Sequence, residues 1–244
     1  MLKTTIDGLL NNRIKFEQPA DGYRVAIDTV LLAAAVPAAA GQKVLELGCG
    51  VGGAMLALAC RVSGIAVTGI EIQSALAHLC AANIECNALA AELRVTEGDA
   101  TRLPDKMKGA FDHVMMNPPY HDKAHHDVSA HPGKRKANTE EEGDLALWIA
   151  SAAQALKSGG ILTLIHRADR LDEILDKLKE DFGAVWIKPI APKAGRAPKR
   201  VIVRAEKGGN LSQTICSPLI LHNADGAFTD ETDSILRYIG KMEF

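Results

Sequence analysis

Residues 43–53 read Lys43-Val44-Leu45-Glu46-Leu47-Gly48-Cys49-Gly50-Val51-Gly52-Gly53, an apolar run that meets a turn with four glycines in six residues. Glycine reaches positive φ without a Cβ clash and lets a ligand approach the backbone closely. Such a strand and turn open a strand–helix repeat, and the downstream sequence supplies one. Strand-like runs at Lys43–Leu47, Ala66–Glu71, Leu93–Glu97, Phe111–Met116 and Ile161–His166 alternate with helix-like stretches. Those stretches are Ala54–Val62, Ser74–Asn87, Leu145–Leu156 and Arg170–Glu180. The alternation predicts a parallel sheet with helices on both faces. Residues 13–18 predict an earlier strand, and Asp28–Ala40 a helix capped by Asp28. Ala184–Pro189 and Arg200–Ala205 predict a closing strand pair. Ligands of such sheets bind beyond the carboxyl ends of the strands.

Composition narrows the class further. The chain has 244 residues, 47% of them hydrophobic, enough for one well-buried core with at most a small elaboration. Its net charge of −2 gives no global attraction for nucleic acid, so only a local basic patch could supply one. The five cysteines form no CxxC pair, so neither a zinc site nor a disulfide framework is expected, and a reducing cytoplasm fits. Lys3 and Asp7 interrupt any signal-peptide pattern. The apolar run Val30–Ala40 is short and contains Pro37, so no membrane span is expected. The oligomeric state is not readable from the sequence.

Gly48, Gly50 and Gly53 fit the G-x-G-x-x-G pattern of dinucleotide-binding turns, a weak signal on its own. Glu46 discriminates between ligands. A carboxylate at the strand end repels a pyrophosphate but attracts a cation, such as the ammonium and sulfonium of S-adenosylmethionine. Two more acids fall at successive strand ends. Glu71, with Ile72 beside it, stands about 20 residues beyond the glycines, where a carboxylate can accept from both hydroxyls of a ribose. Asp99 can accept from an adenine amino group, and the Ala100 N–H can donate to the ring. Either acid alone would read as a solvated strand end or a helix cap. Three in register read as one cofactor site, with Gly48, Cys49 and Gly50 as its floor.

Asn117-Pro118-Pro119-Tyr120 directly follows the strand Phe111–Met116. Each proline fixes its own φ and pushes the preceding residue towards extended geometry. The result is a stiff loop with free carbonyls and one side-chain amide, suited to a planar amine. The Asn117 amide oxygen and the Pro118 carbonyl could each accept one N–H, while Tyr120 stacks on the ring. A rigid turn is the alternative reading of the same tetrapeptide. The polar stretch 121–143 predicts a long surface loop. Its His121, His125, His126 and His131 match no helix-based metal motif, so no metal is expected. Two basic clusters could hold phosphates: Lys134-Arg135-Lys136, and a stretch with Lys188, Lys193, Arg196, Lys199, Arg200, Arg204 and Lys207.

These residues resemble the class I, Rossmann-like methyltransferases, and the tetrapeptide resembles their amino-methylating branch. Phe16-Glu17-Gln18, Gly22-Tyr23-Arg24, Asp28-Thr29-Val30-Leu31-Leu32 and Pro218-Leu219-Ile220 extend the likeness to the bacterial tRNA adenine-N6 methyltransferases that modify a valine tRNA beside the anticodon. The resemblance implies an α/β fold whose mostly parallel sheet has seven strands, the last antiparallel. It implies a methyltransferase domain over 41–244, with residues 1–40 an elaboration packed on the cofactor site. It also implies that Tyr23, Arg24 and Asp28 close over the cofactor's amino-acid end, and that tRNA is the partner. Where members carry an alanine–arginine–histidine–glutamate stretch after the acceptor loop, this chain has Lys136-Ala137-Asn138-Thr139-Glu140. A small-molecule or protein-amide methyltransferase, and a non-catalytic RNA-binding module, therefore remain open beside the tRNA reading.

Overall fold

The computed structural model describes residues 3–21, 24–87, 93–119 and 144–244. Its first element is a hairpin of β1 (Thr4–Leu9) and β2 (Ile14–Pro19). Helix α1 (Ile27–Ala35) follows, then β3 (Lys43–Leu47), α2 (Gly53–Arg61), β4 (Ala66–Glu71), α3 (Ser74–Cys86) and β5 (Leu93–Glu97). The second half brings β6 (Phe111–Met116), α4 (Asp144–Ala155), β7 (Leu156–Arg167), α5 (Leu171–Leu178), β8 (Phe182–Lys193) and β9 (Arg200–Lys207). Two short strands, β10 (Ser212–Ile215) and β11 (Leu219–His222), and helix α6 (Asp230–Arg237) complete it.

The main sheet runs β5-β4-β3-β6-β7-β9-β8. Strand β9 is antiparallel to both neighbours, while the remaining pairs are parallel. The seven expected strands are therefore present with the seventh reversed. Strands β10 and β11 add to the outer edge of β8, so the sheet has nine strands, not seven. Strand order reverses between β3 and β6. The crevice at their carboxyl ends is the switch point where doubly wound sheets bind ligands.

Helix α1 departs from its sequence reading at both ends. Its N-cap is Ala26, with no side-chain cap bond, and Asp28 lies inside the first turn instead. It stops at Ala35, because Pro37 disfavours helical geometry at Val36, which is extended with ψ 121°. Seven of its nine residues are buried, which makes it a core helix against α2 and the sheet. Full burial of Leu31 or Leu32 contributes about 1.5–3 kcal/mol each. Gly53 permits the α1–α2 approach, since a Cβ there would stand 3.0 Å from Thr29 Cγ2 and 3.1 Å from Val25 Cγ2.

The hairpin is locked to this frame by polar side chains. Gln18 Oε1 accepts from the Val25 N–H at 2.9 Å. Buried Asn83 on α3 accepts from the Glu17 N–H and donates to the carbonyls of Glu17 and Val51. One amide thus ties the hairpin to the glycine turn.

Candidate active site

The cleft at the switch point encloses roughly 540 Å³ up to its open mouth. Glu46, Gly48, Cys49, Gly50, Asn117 and α1's Thr29 are among the residues lining it. Its floor follows from local sequence. Gly48, Gly50 and Gly52 take φ of +66°, +54° and +88°, which a β-carbon would strain. At Gly50 a Cβ would meet nothing within 4 Å, so that glycine leaves open space beside the cleft.

Glu46 is 5% exposed, and its Oε2 accepts from the Met55 N–H of α2 at 3.0 Å. Burial pushes its carboxyl well above the usual range; the nearby Cys80 thiol adds to the rise and the Met55 N–H opposes it. A buried carboxyl with a raised pKa is primed for a cationic ligand, which would favour its ionised form. Glu71 is equally buried. Its two oxygens accept from the Gly50 and Gln73 N–H groups, both at 2.9 Å. Glu71 therefore shapes the glycine turn and retains lone pairs for a further donor. Ile72 beside it is 65% exposed, an apolar surface at the strand end. Asp99 accepts from both the N–H and the hydroxyl of Thr101, closing its own turn, and Ala100 is buried next to it.

Strands β3 and β6 pair Leu47 with Met116, so Gly48 and Asn117 follow side by side. The glycine turn and the acceptor loop meet there. Pro118 is buried and Pro119 half-buried. Tyr120 lies outside the described residues, as do Tyr23, Lys134, Arg135, Lys136, the four loop histidines and the stretch 136–140.

Two of the candidates from the N-terminal segment have partners within the protein. Arg24 donates to Asp7 Oδ2, Thr5 Oγ1 and the Pro19 carbonyl, so it braces the hairpin. Asp28 accepts from Arg200 Nε at 2.9 Å. Their neighbours Val25 and Thr29 line the cleft. Sequence reasoning missed both, and missed Asn83, although an asparagine within a helix is itself a signal because it competes with the backbone for hydrogen bonds.

The second basic cluster divides. Lys188 is buried. Lys207 donates to the Leu156 carbonyl. Arg204 donates to the Ala35 carbonyl at 2.6 Å and stacks over Phe244, and burial lowers its pKa to about 10. These three serve the fold. Lys193, Arg196 and Lys199 are exposed around the β8–β9 turn, although Lys193 also donates to the Ala224 carbonyl. Arg200 pairs in register with Arg167 at the end of β7. That turn therefore occupies the same carboxyl edge as Asn117. Among the described residues, no group of acids, histidines and cysteines is placed to hold a metal, and no helix is long and apolar enough to cross a membrane.

Known proteins match this frame. The family profile of the methyltransferase small domain matches residues 23–189, more than half of the chain. The chain belongs to that family and is an enzyme of the methyltransferase class. It is 26% identical to the tRNA1(Val) (adenine(37)-N6)-methyltransferase of Cronobacter sakazakii over 83% of its own length and 82% of the relative's. A crystal structure of a predicted O-methyltransferase from Agrobacterium tumefaciens superposes with a TM-score of 0.74 at 29% identity, covering 88% of this chain and 98% of that one. The geranyl diphosphate C-methyltransferase of Streptomyces coelicolor, solved with S-adenosyl-L-homocysteine, shares the fold at 14% identity (TM-score 0.53, covering 73% and 74%). The cleft's own residues fit S-adenosylmethionine: a buried carboxyl at Glu46 for a cation, and open space at Gly50.

Proposed function

We propose that this methyltransferase transfers the methyl group of S-adenosylmethionine to the N6 amine of an adenine in tRNA, in the cytoplasm. The observation that carries the reading is the placement of Asn117 beside Gly48 in one cleft, at the switch point of the sheet. The bound cofactor supplies an electrophilic methyl on a sulfonium. Asn117 Oδ1 and the Pro118 carbonyl each accept one N–H of the amine. Holding both protons draws the nitrogen towards tetrahedral geometry and localises its lone pair. That lone pair would be the nucleophile towards the methyl, with Glu46, Glu71 and Asp99 as the residues that would hold the cofactor. The extra proton on nitrogen is then acidic and passes to solvent, so alignment and preorganised acceptors do most of the catalysis. Residues 1–40 support the cofactor side, through the Gln18–Val25 bond and through Glu17, which Asn83 ties to Val51.

The tRNA acceptor is supported by two further facts. Curated relatives matched over most of their length are named tRNA1(Val) (adenine(37)-N6)-methyltransferases. Lys193, Arg196 and Lys199 are exposed on the acceptor's edge of the sheet, where they can hold phosphates, and Arg200 joins them in part. Lys134, Arg135 and Lys136 are further candidates for phosphate contact by their charge alone. The test is label transfer from S-adenosylmethionine to total tRNA of a strain lacking the enzyme, with nucleoside mass spectrometry. N6-methyladenosine beside the anticodon is the expected product. Labelling of a small metabolite or a protein amide, with unlabelled tRNA, overturns the acceptor assignment.

A further inference from the structure

Trp148 is half-buried in the second turn of α4, the helix that follows the acceptor segment. Its ring reaches Gly48 on the far side of the cofactor turn. A Cβ at Gly48 would lie 2.6 Å from Trp148 Cη2 and 3.1 Å from Cζ3, so the edge of the six-membered ring rests on that glycine. The same side chain packs into the core that holds Leu47 and Met116, the last residues of β3 and β6. The two residues that follow them, Gly48 and Asn117, belong to the donor and acceptor loops and both line the cleft. Trp148 is thus one rigid wall behind the joint where the two loops meet.

We infer that Trp148 is a positioning residue that sets the donor–acceptor geometry by holding Gly48 in its place beside Asn117, a role that rests on the proposed tRNA methyltransferase reading. Gly48 has φ +66° and carries no side chain to anchor it. Its backbone is held by what packs against it. Removing the indole leaves a void beside the turn, and Gly48 can relax into it, out of register with Asn117. The cofactor's other holds, Glu46, Glu71 and Asp99, do not touch the ring in any contact described above. The loss should therefore fall on alignment more than on cofactor binding, because a misplacement of ~1 Å costs on the order of 100-fold in rate.

The experiment compares the intact protein with Trp148→Ala and Trp148→Phe, and uses the second tryptophan, Trp186, as a silent background after Trp186→Phe. In that background, S-adenosylhomocysteine should produce a saturable change in Trp148 emission. Methyl transfer to total tRNA should fall on the order of 100-fold in kcat for Trp148→Ala, with the Kd for S-adenosylhomocysteine from calorimetry nearly unchanged, and Trp148→Phe should recover most of it. If calorimetry shows S-adenosylhomocysteine binding without any change in Trp148 emission, the inference is overturned while the cofactor reading survives. If the unmodified protein itself binds no S-adenosylhomocysteine or labels no tRNA, the proposed function fails, and this inference with it. Equal losses in kcat and affinity for Trp148→Ala, or full activity in that variant, also overturn it.

Discussion

The donor side of the cleft and its basic rim are built in opposite ways. On the donor side, each acid is held by a backbone N–H or hydroxyl close in the fold: Glu46 by Met55, Glu71 by Gly50 and Gln73, Asp99 by Thr101. Short side chains at strand ends are aimed by the strand itself, so little conformational entropy is lost when a ligand arrives. At the rim, long cations extend from the β8–β9 turn, and only some stay there; Arg204, Lys207 and Lys188 have been drawn into the fold. A preorganised side suits a small cofactor bound the same way each time, and an exposed charged rim suits a polyanion gripped through its phosphates.

The largest expected effect sharpens the contrast at the joint between the two. Asn117→Ala should cut kcat on the order of 100–1,000-fold, as removal of one preorganised hydrogen-bonding group does elsewhere. Calorimetry should find the affinity for S-adenosylhomocysteine nearly constant. Equal losses in both would make Asn117 part of the donor side instead. Next comes Arg204→Ala, which tests whether a cation of the basic stretch has become structural. It loses the bond to Ala35, the contact to Met242 and the stack on Phe244. That should cost about 3 kcal/mol, and about 6–12 °C in Tm. Binding to RNA should keep its salt dependence; a flatter salt slope at unchanged Tm would return Arg204 to the rim.

Glu46 gives a pH signature peculiar to the donor side. In the free protein its pKa is raised by burial, so its contribution to stability is fully present below the ordinary value of 4.5 and is lost as pH rises through its own higher value. A cation in the cleft acts in the opposite direction by favouring the ionised form. Affinity for S-adenosylmethionine should therefore rise with pH through that range, with proton release measurable by calorimetry in buffers of different ionisation heat. Glu46→Gln should flatten the profile and weaken binding by about 1.5–3 kcal/mol at neutral pH. An unchanged profile would show that Glu46 stays protonated with the cofactor bound.

What the sequence disclosed follows the same division. Strands β3, β4, β5 and β6 match their expected bounds; in β3 and β6 an apolar run ended by a glycine or an Asn-Pro turn fixes a buried strand locally. The glycine turn, Glu46 and Asn117 were legible for the same reason. Strand β10 was not, since Ser212–Ile215 is wholly exposed and becomes a strand only by pairing with β8. Nor was the fate of Arg24 and Asp28, whose partners Asp7 and Arg200 lie 17 and 172 residues away. Charge in a sequence shows that a cation exists; only tertiary contacts decide whether it remains available.

That point sets the smallest and most discriminating prediction. Lys193→Ala, Arg196→Ala and Lys199→Ala, combined in one variant, remove exposed charge from the β8–β9 turn together with one surface hydrogen bond, from Lys193 to the Ala224 carbonyl. Tm should barely move, because surface cations contribute roughly 0–1 kcal/mol each. The affinity for S-adenosylhomocysteine should stay as it was, since none of the three lines the cleft. What should change is the salt dependence of tRNA binding. Each lost phosphate contact lowers the slope of log affinity against log salt by about 0.7–0.9. A flatter slope together with a higher KM for tRNA, at unchanged kcat, would place the phosphates on this turn and keep alignment the business of Asn117. An unaltered slope would move the phosphate contacts off this turn and leave the exposed cations as a solvated surface.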